Sequence, residues 1–348
     1  MLAPPPLPRT LEAAVRDITS AKPTVRASAI GDLARHAQGN DATRERALPL
    51  LEKALRDDLS PGVRSAAAVA LADLRAHEVL ASLLVAVEDA EQHVRQMALS
   101  ALGEIGDARA LARLERALVD TRPEMRYQAV IAFSRVAASH PENRADVEKA
   151  LLKALDDADE SVRYIAMRIA EDHALDAATP LRSDAITKRA ETLLDGEDDA
   201  MKVVAAIYLA KIGDASTAAR AVISRVIRRE LKTPEPEDEQ AAVEIAGELG
   251  MRDAIADLEK RAWGLGRFIG DTCAWHAKIA LARLGHEKAT REIVGDLGAW
   301  RRETRQAAVV AAGRARIAEA RSAIVAMDPG SVDPDLAAEA LARLPPSS

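Results

Sequence analysis

The sequence predicts an all-α fold, a right-handed α-solenoid (superhelix) of about ten helix pairs. A twelve-residue pattern with helical spacing recurs along the chain at intervals of 29 to 39 residues. Only 2% of the 348 residues are aromatic. Ala, Val, Leu and Ile suffice to fill thin layers between stacked helices, whereas a single compact core of this length would use more large rings. Runs that alternate apolar and polar residues, as strands do, are absent from the sequence.

The recurring pattern marks the second helix of each pair. Its positions 1, 5, 9 and 12 are apolar in most copies, which places them on one face of a helix. Position 5 is usually Ala, which allows neighbouring helices to approach closely. Clear copies begin at Val25, Val63, Val94, Met125, Val162 and Met201, and weaker copies begin at Asp238, Cys273, Thr304 and Asp333. The first helix of each pair lies between copies, and Gly and Asp mark the turns.

Composition divides the chain into four segments. The Pro-rich residues 1–10 are predicted to be disordered. Residues 11–232 hold repeats one to six and the first helix of repeat seven. Residues 233–238 form an acidic loop, and residues 239–348 hold the divergent repeats seven to ten. Three glycines within residues 263–272 favour an irregular loop packed by its own aromatic side chains.

Charged residues recur in step with the repeat. In four copies an aspartate stands six residues before an arginine: Asp58 and Arg64, Asp89 and Arg95, Asp120 and Arg126, and Asp157 and Arg163. The aspartate can cap the second helix, and the arginine can reach the aspartate of its own or of the adjacent repeat. We expect a ladder of alternating charge that fixes the register of the stack, because an exposed ion pair alone contributes about 0–1 kcal/mol.

These patterns resemble the HEAT repeat family, including its subgroup named after phycobilisome lyases. The resemblance extends over residues 11–344 and is strongest over 50–215, where Ala101-Leu-Gly-Glu-Ile-Gly-Asp107 stands close to the family form. It weakens after residue 216, where Glu239 and Ala274 replace the repeated arginine. The resemblance implies an α-solenoid that acts as a scaffold, transport receptor or regulator, and the repeat identifies the fold better than the function.

The least repetitive positions of the second helix are candidates for binding a partner. Positions 3 and 7 share one face, and in such solenoids the second helices line the concave side. In repeats four to six and in repeat eight these positions carry large side chains: Tyr127, Ile131, Tyr164, Arg168, Val203, Ile207, Trp275 and Ile279. Tyr, Trp and Arg among apolar residues are typical of protein-binding hot spots. In the alternative interpretation these side chains fold back and fill gaps between adjacent repeats.

Motifs for chemistry are absent from the sequence. It has no Gly-rich phosphate loop, no H-E-x-x-H and no C-x-x-C, so we expect no catalytic residue, no cofactor and no metal. Cys273 and His276 are the only Cys–His pair at helical spacing, and the repeat pattern accounts for both positions. The acidic run 195–199 lacks the spacing of a calcium loop.

Charge and composition narrow the class of partner. The net charge of −7 argues against a general nucleic-acid binder, which needs a basic face. No apolar run approaches the roughly 20 residues that span a bilayer, so we expect no membrane insertion. A single cysteine and a start without a secretory pattern favour the cytoplasm, and Ala and Arg richness favours a bacterial source. We therefore predict a monomeric scaffold, adaptor or regulator that binds a protein.

Three narrower functions follow from what related solenoids do. The first is regulation of a small GTPase or another switch protein, in which Arg168 would approach a phosphate. The second is a chromophore-lyase-like enzyme subunit with an apolar tetrapyrrole pocket. The third is a DNA-binding repair protein, for which Trp275 and Asp271 would supply the aromatic ring and the carboxylate.

Overall fold

Helices account for the regular structure of this chain. The structure is a computed structural model that describes residues 9–138, 140–176, 180, 182–264, 271–328 and 330–346. Within these residues the chain forms twenty α-helices and no strand, so the predicted all-α fold of about ten helix pairs is confirmed. Short 3₁₀ helices at His77–Val79, Ala108–Ala110, Pro141–Asn143 and Arg252–Ala254 lead into four of the first helices.

The helices alternate between the first and second members of each pair. The first helices are α1 (Leu11–Asp17), α3 (Asp41–Asp57), α5 (Leu80–Ala86), α7 (Leu111–Ala117), α9 (Arg144–Leu155), α11 (Asp184–Leu194), α13 (Thr217–Ile227), α15 (Ile255–Trp263), α17 (Glu287–Asp296) and α19 (Ala320–Val325). The second helices are α2 (Pro23–Ala37), α4 (Pro61–Asp73), α6 (Gln92–Ile105), α8 (Pro123–Ala138), α10 (Glu160–Leu175), α12 (Asp199–Lys211), α14 (Pro236–Glu248), α16 (Ala274–Arg283), α18 (Arg302–Ala315) and α20 (Pro334–Arg343).

Each predicted copy of the pattern coincides with a second helix. In eight of them the copy begins at the third residue of the helix, as Val63 does in α4 and Val94 does in α6. In α16 and α20 the first residue of the copy is instead the N-cap, Cys273 or Asp333. The apolar spacing therefore locates both the helices and the face that they bury.

The chain divides into two compact units, Met1–His173 and Ala174–Ser348. In unit 1, α1, α3, α5 and α7 each pack on the second helix that follows, and α2, α4, α6 and α8 pack on one another in series. In unit 2, α12, α14, α16, α18 and α20 form a second such series. The division falls at residue 173 and not at residues 233–238, which were predicted to form an acidic loop between two groups of repeats. Helix α12 of repeat six packs against both α13 and α14 of repeat seven, so repeats six and seven are continuous.

Small residues set the spacing within these series. Gly103 of α6 lies against Ala132 of α8, and an added Cβ would stand 2.8 Å from the Ala132 Cα. Gly247 of α14 meets Ala280 of α16 in the same way, with 2.7 Å to the Ala280 Cα. Both glycines occupy position 10 of the repeat and both alanines occupy position 8. At these two contacts the second helices therefore cross at backbone distance, closer than any side chain at position 10 allows.

Two of the predicted segments differ from the structure where they are described. Residues 1–8 and 265–270 lie outside the described residues, but Thr10 caps α1 by accepting from the Ala13 N–H, so the predicted disorder does not extend to residue 10. The predicted acidic loop at 233–238 is shorter, because α14 already begins at Pro236. Asp238 is 1% exposed and its carboxylate accepts from the Glu235 N–H at 3.2 Å. A Pro at the first helical position and this capping box start the helix early.

Candidate partner-binding surface and aspartate–arginine ladder

The ladder links neighbouring repeats of unit 1 at three places, between repeats one and two, two and three, and four and five. Arg64 donates from Nη1 to the backbone carbonyl of Asp58 in its own repeat at 2.8 Å. Its Nε and Nη2 donate to the two carboxylate oxygens of Asp89 in the following repeat, both at 2.7 Å. The Asp89 carboxylate also accepts from the Glu91 N–H at the start of α6. The sequence left open whether the arginine reaches the aspartate of its own repeat or that of the adjacent one. It donates to the backbone carbonyl of the first and to the carboxylate of the second.

Two further rungs have this geometry. Arg126 donates to the Asp120 carbonyl at 2.9 Å and to both carboxylate oxygens of Asp157, at 2.7 and 2.6 Å. Arg26, which the sequence analysis did not include, pairs with Asp58 through two bonds of 2.7 Å. The signal was present in the sequence, since Val25-Arg26 repeats Val63-Arg64. It was missed because Arg26 has no aspartate six residues before it.

One predicted rung does not form. Asp120 accepts instead from Arg122, two residues further along, at 2.8 and 2.7 Å. Arg95 keeps its bonds to the carbonyls of Asp89 and Ala90, and its buried Nε has no hydrogen-bond partner among the described residues. Arg95 thus bonds to the carboxylate of neither its own repeat nor the adjacent one, and the ladder is interrupted between repeats three and four. A second arginine in the turn reaches the carboxylate more directly than one from the preceding repeat.

Arginine contacts lower the pKa values of the ladder carboxyls. The hydrogen bond from Arg64 holds the pKa of Asp89 below its ordinary value, and Arg126 does the same for Asp157. Arg122 lowers the pKa of Asp120 to about 2. Arg163, the last predicted member, donates to the Asp157 carbonyl at 2.9 Å. These carboxylates are charged at neutral pH, and those of Asp89 and Asp157 hold neighbouring repeats together.

In unit 2 a different arginine replaces the missing ladder cation. Glu239 stands where repeats one to five have Arg, and Arg261 at the end of α15 donates to it at 2.7 Å. Arg261 also donates to both carboxylate oxygens of Asp271, at 2.9 and 3.1 Å. Burial raises the pKa of Asp271, but the bond from Arg261 outweighs it and the pKa lies below its ordinary value. Asp271 is thus a structural anion with a side chain 3% exposed.

Four predicted binding residues lie at the surface of unit 1. Tyr127 and Ile131 on α8 and Tyr164 and Arg168 on α10 are each partly exposed. The opposite face of α8, which includes Met125, is buried. Arg168 donates to Glu171 at 2.9 Å. The two helices therefore present positions 3 and 7 outward, as the repeat pattern predicted.

Three predicted binding residues in unit 2 are buried, and their assignment to an open surface was wrong. Val203 and Ile207 on α12 are each 0% exposed, and Ile279 on α16 is 3% exposed. Helix α12 is apolar almost all round, from Val203 to Ala210, and a helix of that composition is covered on every side. Of the predicted binding residues in unit 2, only Trp275 is partly exposed, and the Lys278 ammonium lies 5.7 Å from its ring centroid.

A groove in unit 1 extends the exposed face towards the N-terminus. It has a volume of about 360 Å³ and lies between α4 and α6, with Val69 and Met97 in its lining. Asp73 and Glu104 stand at position 11 and also line it, and Glu104 pairs with Arg135 of α8. Val69 is 44% exposed. Sequence reasoning passed over repeats two and three because their position-3 residues, Ser65 and Gln96, are small or polar, and the groove depends on positions 7 and 11.

The second helices of unit 2 share a charged cluster. Glu244 of α14 lies 2.5 Å from Nδ1 of His276 on α16 and accepts from Arg314 of α18 at 3.0 Å. One carboxylate thus joins three consecutive repeats. His276 is engaged with Glu244, while Cys273 is 0% exposed and burial raises the pKa of its thiol to about 11. A thiol in that state is not a nucleophile at neutral pH.

Metal and membrane features are absent from the described residues. No group of three or more His, Cys, Asp or Glu side chains in this part of the chain could hold a metal ion. None of the helices in the described ranges combines the length and the apolar composition that crossing a bilayer requires.

Comparison with known proteins identifies the repeat. The HEAT repeat family model matches residues 48–134 and 80–166. The crystal structure of YibA from Escherichia coli is 17% identical, with a TM-score of 0.53, and covers 80% of this chain and 93% of that one. A search of curated protein sequences finds no match.

Two further solved structures are more distant. The complex of CpcE and CpcF of phycocyanin lyase from Nostoc sp. PCC7120 is 22% identical, with a TM-score of 0.41, and covers 74% of this chain and 96% of that one. A designed armadillo repeat protein in complex with the peptide (KR)4 is also 22% identical, with a TM-score of 0.41, and covers 59% and 100%. At such identities the likeness concerns the fold alone. The chain is therefore an all-α helical-repeat protein that carries HEAT repeats over residues 48–166.

Proposed function

We propose that this protein is a non-enzymatic scaffold or adaptor that binds a protein partner on the second-helix face of unit 1. The observation that carries the proposal is the exposure of Tyr127, Ile131 and Tyr164 at matching positions of α8 and α10. The opposite face of α8 is already buried, so Tyr127 and Ile131 lie on the face that this helix leaves partly open. Large, partly exposed aromatic residues beside apolar ones give much contact area when a partner covers them.

The groove between α4 and α6 adds to the same face. Val69 at position 7 and Ile131 at the equivalent position of α8 belong to one series of packed helices, α4, α6 and α8. Charged side chains at position 11, Asp73, Glu104 and Arg135, border this apolar strip. An apolar centre with a charged rim is the usual arrangement of a protein-binding surface.

Affinity capture from a native lysate tests this function. The bait is the full chain, compared with the Tyr127→Ala/Tyr164→Ala double variant and with Val85→Ala as matched control. Val85 is 71% exposed on α5, which is a first helix, so it does not lie on the proposed second-helix face. We expect one partner to be captured by the wild type and by the Val85 control and to be lost from the double variant, with helical circular dichroism unchanged. Equal capture by all three proteins would refute the assignment.

The narrower proposal of small-GTPase regulation has less support. An arginine that completes a phosphate site must be mobile and reach beyond the surface. Arg168 instead donates to Glu171, and its side chain is 28% exposed. Replacing Arg168 with Ala tests the idea, since a regulator that acts through this residue loses its effect on nucleotide hydrolysis while keeping its partner.

The structure favours neither of the other two narrower functions, a chromophore-lyase-like subunit and a DNA-binding repair protein. Asp271, the carboxylate that base excision would require, is held by Arg261 and is nearly inaccessible. A tetrapyrrole pocket would have to be apolar, whereas the cavity of about 860 Å³ in unit 2 is lined by charged side chains such as Arg283, Glu248 and Glu287. Incubation with a bilin and a salt-dependent gel shift with damaged duplex are the direct checks.

A further inference from the structure

A cavity at one end of the second helices of unit 2 combines small residues with unpaired charges. Its volume is about 860 Å³, within the range of small-ligand pockets. It lies where α14, α16 and α18 end, and α17 contributes to its wall. Three arginines line it, Arg283, Arg291 and Arg316.

Arg316 occupies a backbone conformation that disfavours side chains. Its φ is +57°, and it follows α18 at position 13 of the repeat. In the two preceding repeats, position 13 is Gly250 and Gly285, with φ of +66° and +83°. The turn closes in the same way in each: the Ile317 N–H donates to the Ala312 carbonyl at 3.0 Å, and the Met251 N–H donates to the Ala246 carbonyl at 2.9 Å.

The turn therefore does not require an arginine. Glycine adopts this conformation without the contact between Cβ and backbone that an L-residue suffers. A large side chain held there against the backbone preference points to a use for the side chain itself. In the structure that side chain lines the cavity.

Arg283 supplies a second cation that is partly withdrawn from water. Its Nη1 donates to the Arg314 carbonyl at 2.7 Å, and it forms no ion pair with another described residue. Burial lowers the pKa of Arg283, the nearby Glu248 raises it, and the charge of Arg316 lowers it again. The acidic side chains of the lining, Glu248, Glu287 and Glu319, are exposed and keep their hydration. Arg291 and Arg316 are exposed as well, whereas Arg283 is only partly exposed, so Arg283 is the group that gains most from an incoming opposite charge.

We infer that this cavity binds an oxyanion ligand, with a carboxylate or phosphate group held by Arg283 and Arg316. Planar guanidinium groups pair with either kind of oxyanion through two parallel hydrogen bonds. The small residues Gly247, Ala282 and Ala315 leave room for the body of the ligand. This site belongs to unit 2 and is independent of the protein-binding face proposed for unit 1.

Isothermal titration calorimetry on the full chain tests the site, with citrate as the carboxylate probe and pyrophosphate as the phosphate probe. Sodium chloride at equal ionic strength is the reference. We expect at least one probe to bind, and the Arg316→Gly and Arg283→Gln variants to bind it at least tenfold more weakly. Because glycine suits the backbone at position 316, R316G should melt at or above the temperature of the wild type, so lost binding cannot come from unfolding.

The matched control is Arg75→Gly. Arg75 occupies position 13 in unit 1 with φ of +45°, so R75G relieves the same conformation away from the cavity and should leave binding unchanged. Two results would overturn the inference. One is that neither probe gives more heat than sodium chloride, and the other is that R316G binds as tightly as the wild type.

Discussion

At the scale of single residues, the ladder shows how arginine fixes the register of a stack. Arg64 contacts the backbone of one repeat and the carboxylate of the next, and it satisfies Asp89 with two parallel bonds. Both side chains are only 13–14% exposed, so solvent screens this pair less than an ordinary surface pair. Removing one partner leaves a partly buried charge without a counter-charge.

We expect Asp89→Asn to lower the free energy of unfolding by about 1–2 kcal/mol, because the Arg64 guanidinium loses a charged acceptor. The matched control is Asp57→Asn, which removes an exposed carboxylate paired with Lys53 and should change stability by less than about 0.5 kcal/mol. Urea unfolding followed by circular dichroism measures both. Equal changes in the free energy of unfolding for the two substitutions would show that the Asp89–Arg64 pair stabilises the protein no more than an exposed ion pair does.

The effect of Asp89 depends on pH in a definite direction. The pKa of this carboxyl is lower in the folded state, so its contribution to stability is complete above the unfolded pKa of about 3.9. It is lost as the pH falls through the folded pKa. The difference between wild type and D89N should therefore be full at pH 7 and shrink below about pH 4. A difference that stays constant between pH 7 and pH 3 contradicts this account.

At the scale of helices, the crossing of second helices depends on position 10. Gly103→Ala would place a Cβ 2.8 Å from the Ala132 Cα, and backbone has to move to relieve the contact. We expect a loss of about 1–3 kcal/mol, although alanine is the better helix former. Gly31→Ala in α2 is the control, since no atom lies within 4 Å of its added Cβ. That substitution should raise the melting temperature, and destabilisation by both would show that the close crossing is not the cause.

The local pattern predicted the helices well and their exposure less well. Buried positions such as Val63 and Val94 determine which face of a helix packs, and that information lies within twelve residues of sequence. Whether Val203 reaches solvent depends on elements that pack beside α12, which its own spacing does not contain. The choice of Asp120 between Arg122 and Arg95 likewise depends on geometry across two repeats. Candidate binding residues are therefore partly exposed where one face of a helix stays open, as on α8.

At the scale of the whole molecule, the chain consists of two units that each carry their own series of stacked helix pairs. Stability in such arrays comes mainly from neighbouring repeats. We expect the fragments 1–173 and 174–348 each to be helical and to melt cooperatively when made separately. Circular dichroism and thermal melting check this. A fragment that lacks helical signal at low temperature would show that its repeats depend on the other half of the chain.

The proposed function rests on one face of unit 1, and site-specific photo-crosslinking tests it most directly. A photoreactive phenylalanine analogue is placed at Ile131, which lies on the proposed surface, and in a second protein at Val85 on α5. Both proteins are irradiated in native lysate. We expect a covalent adduct with one partner from position 131 and none from position 85. An adduct from position 85 alone, or none from position 131 under conditions in which the partner is captured, would contradict the account.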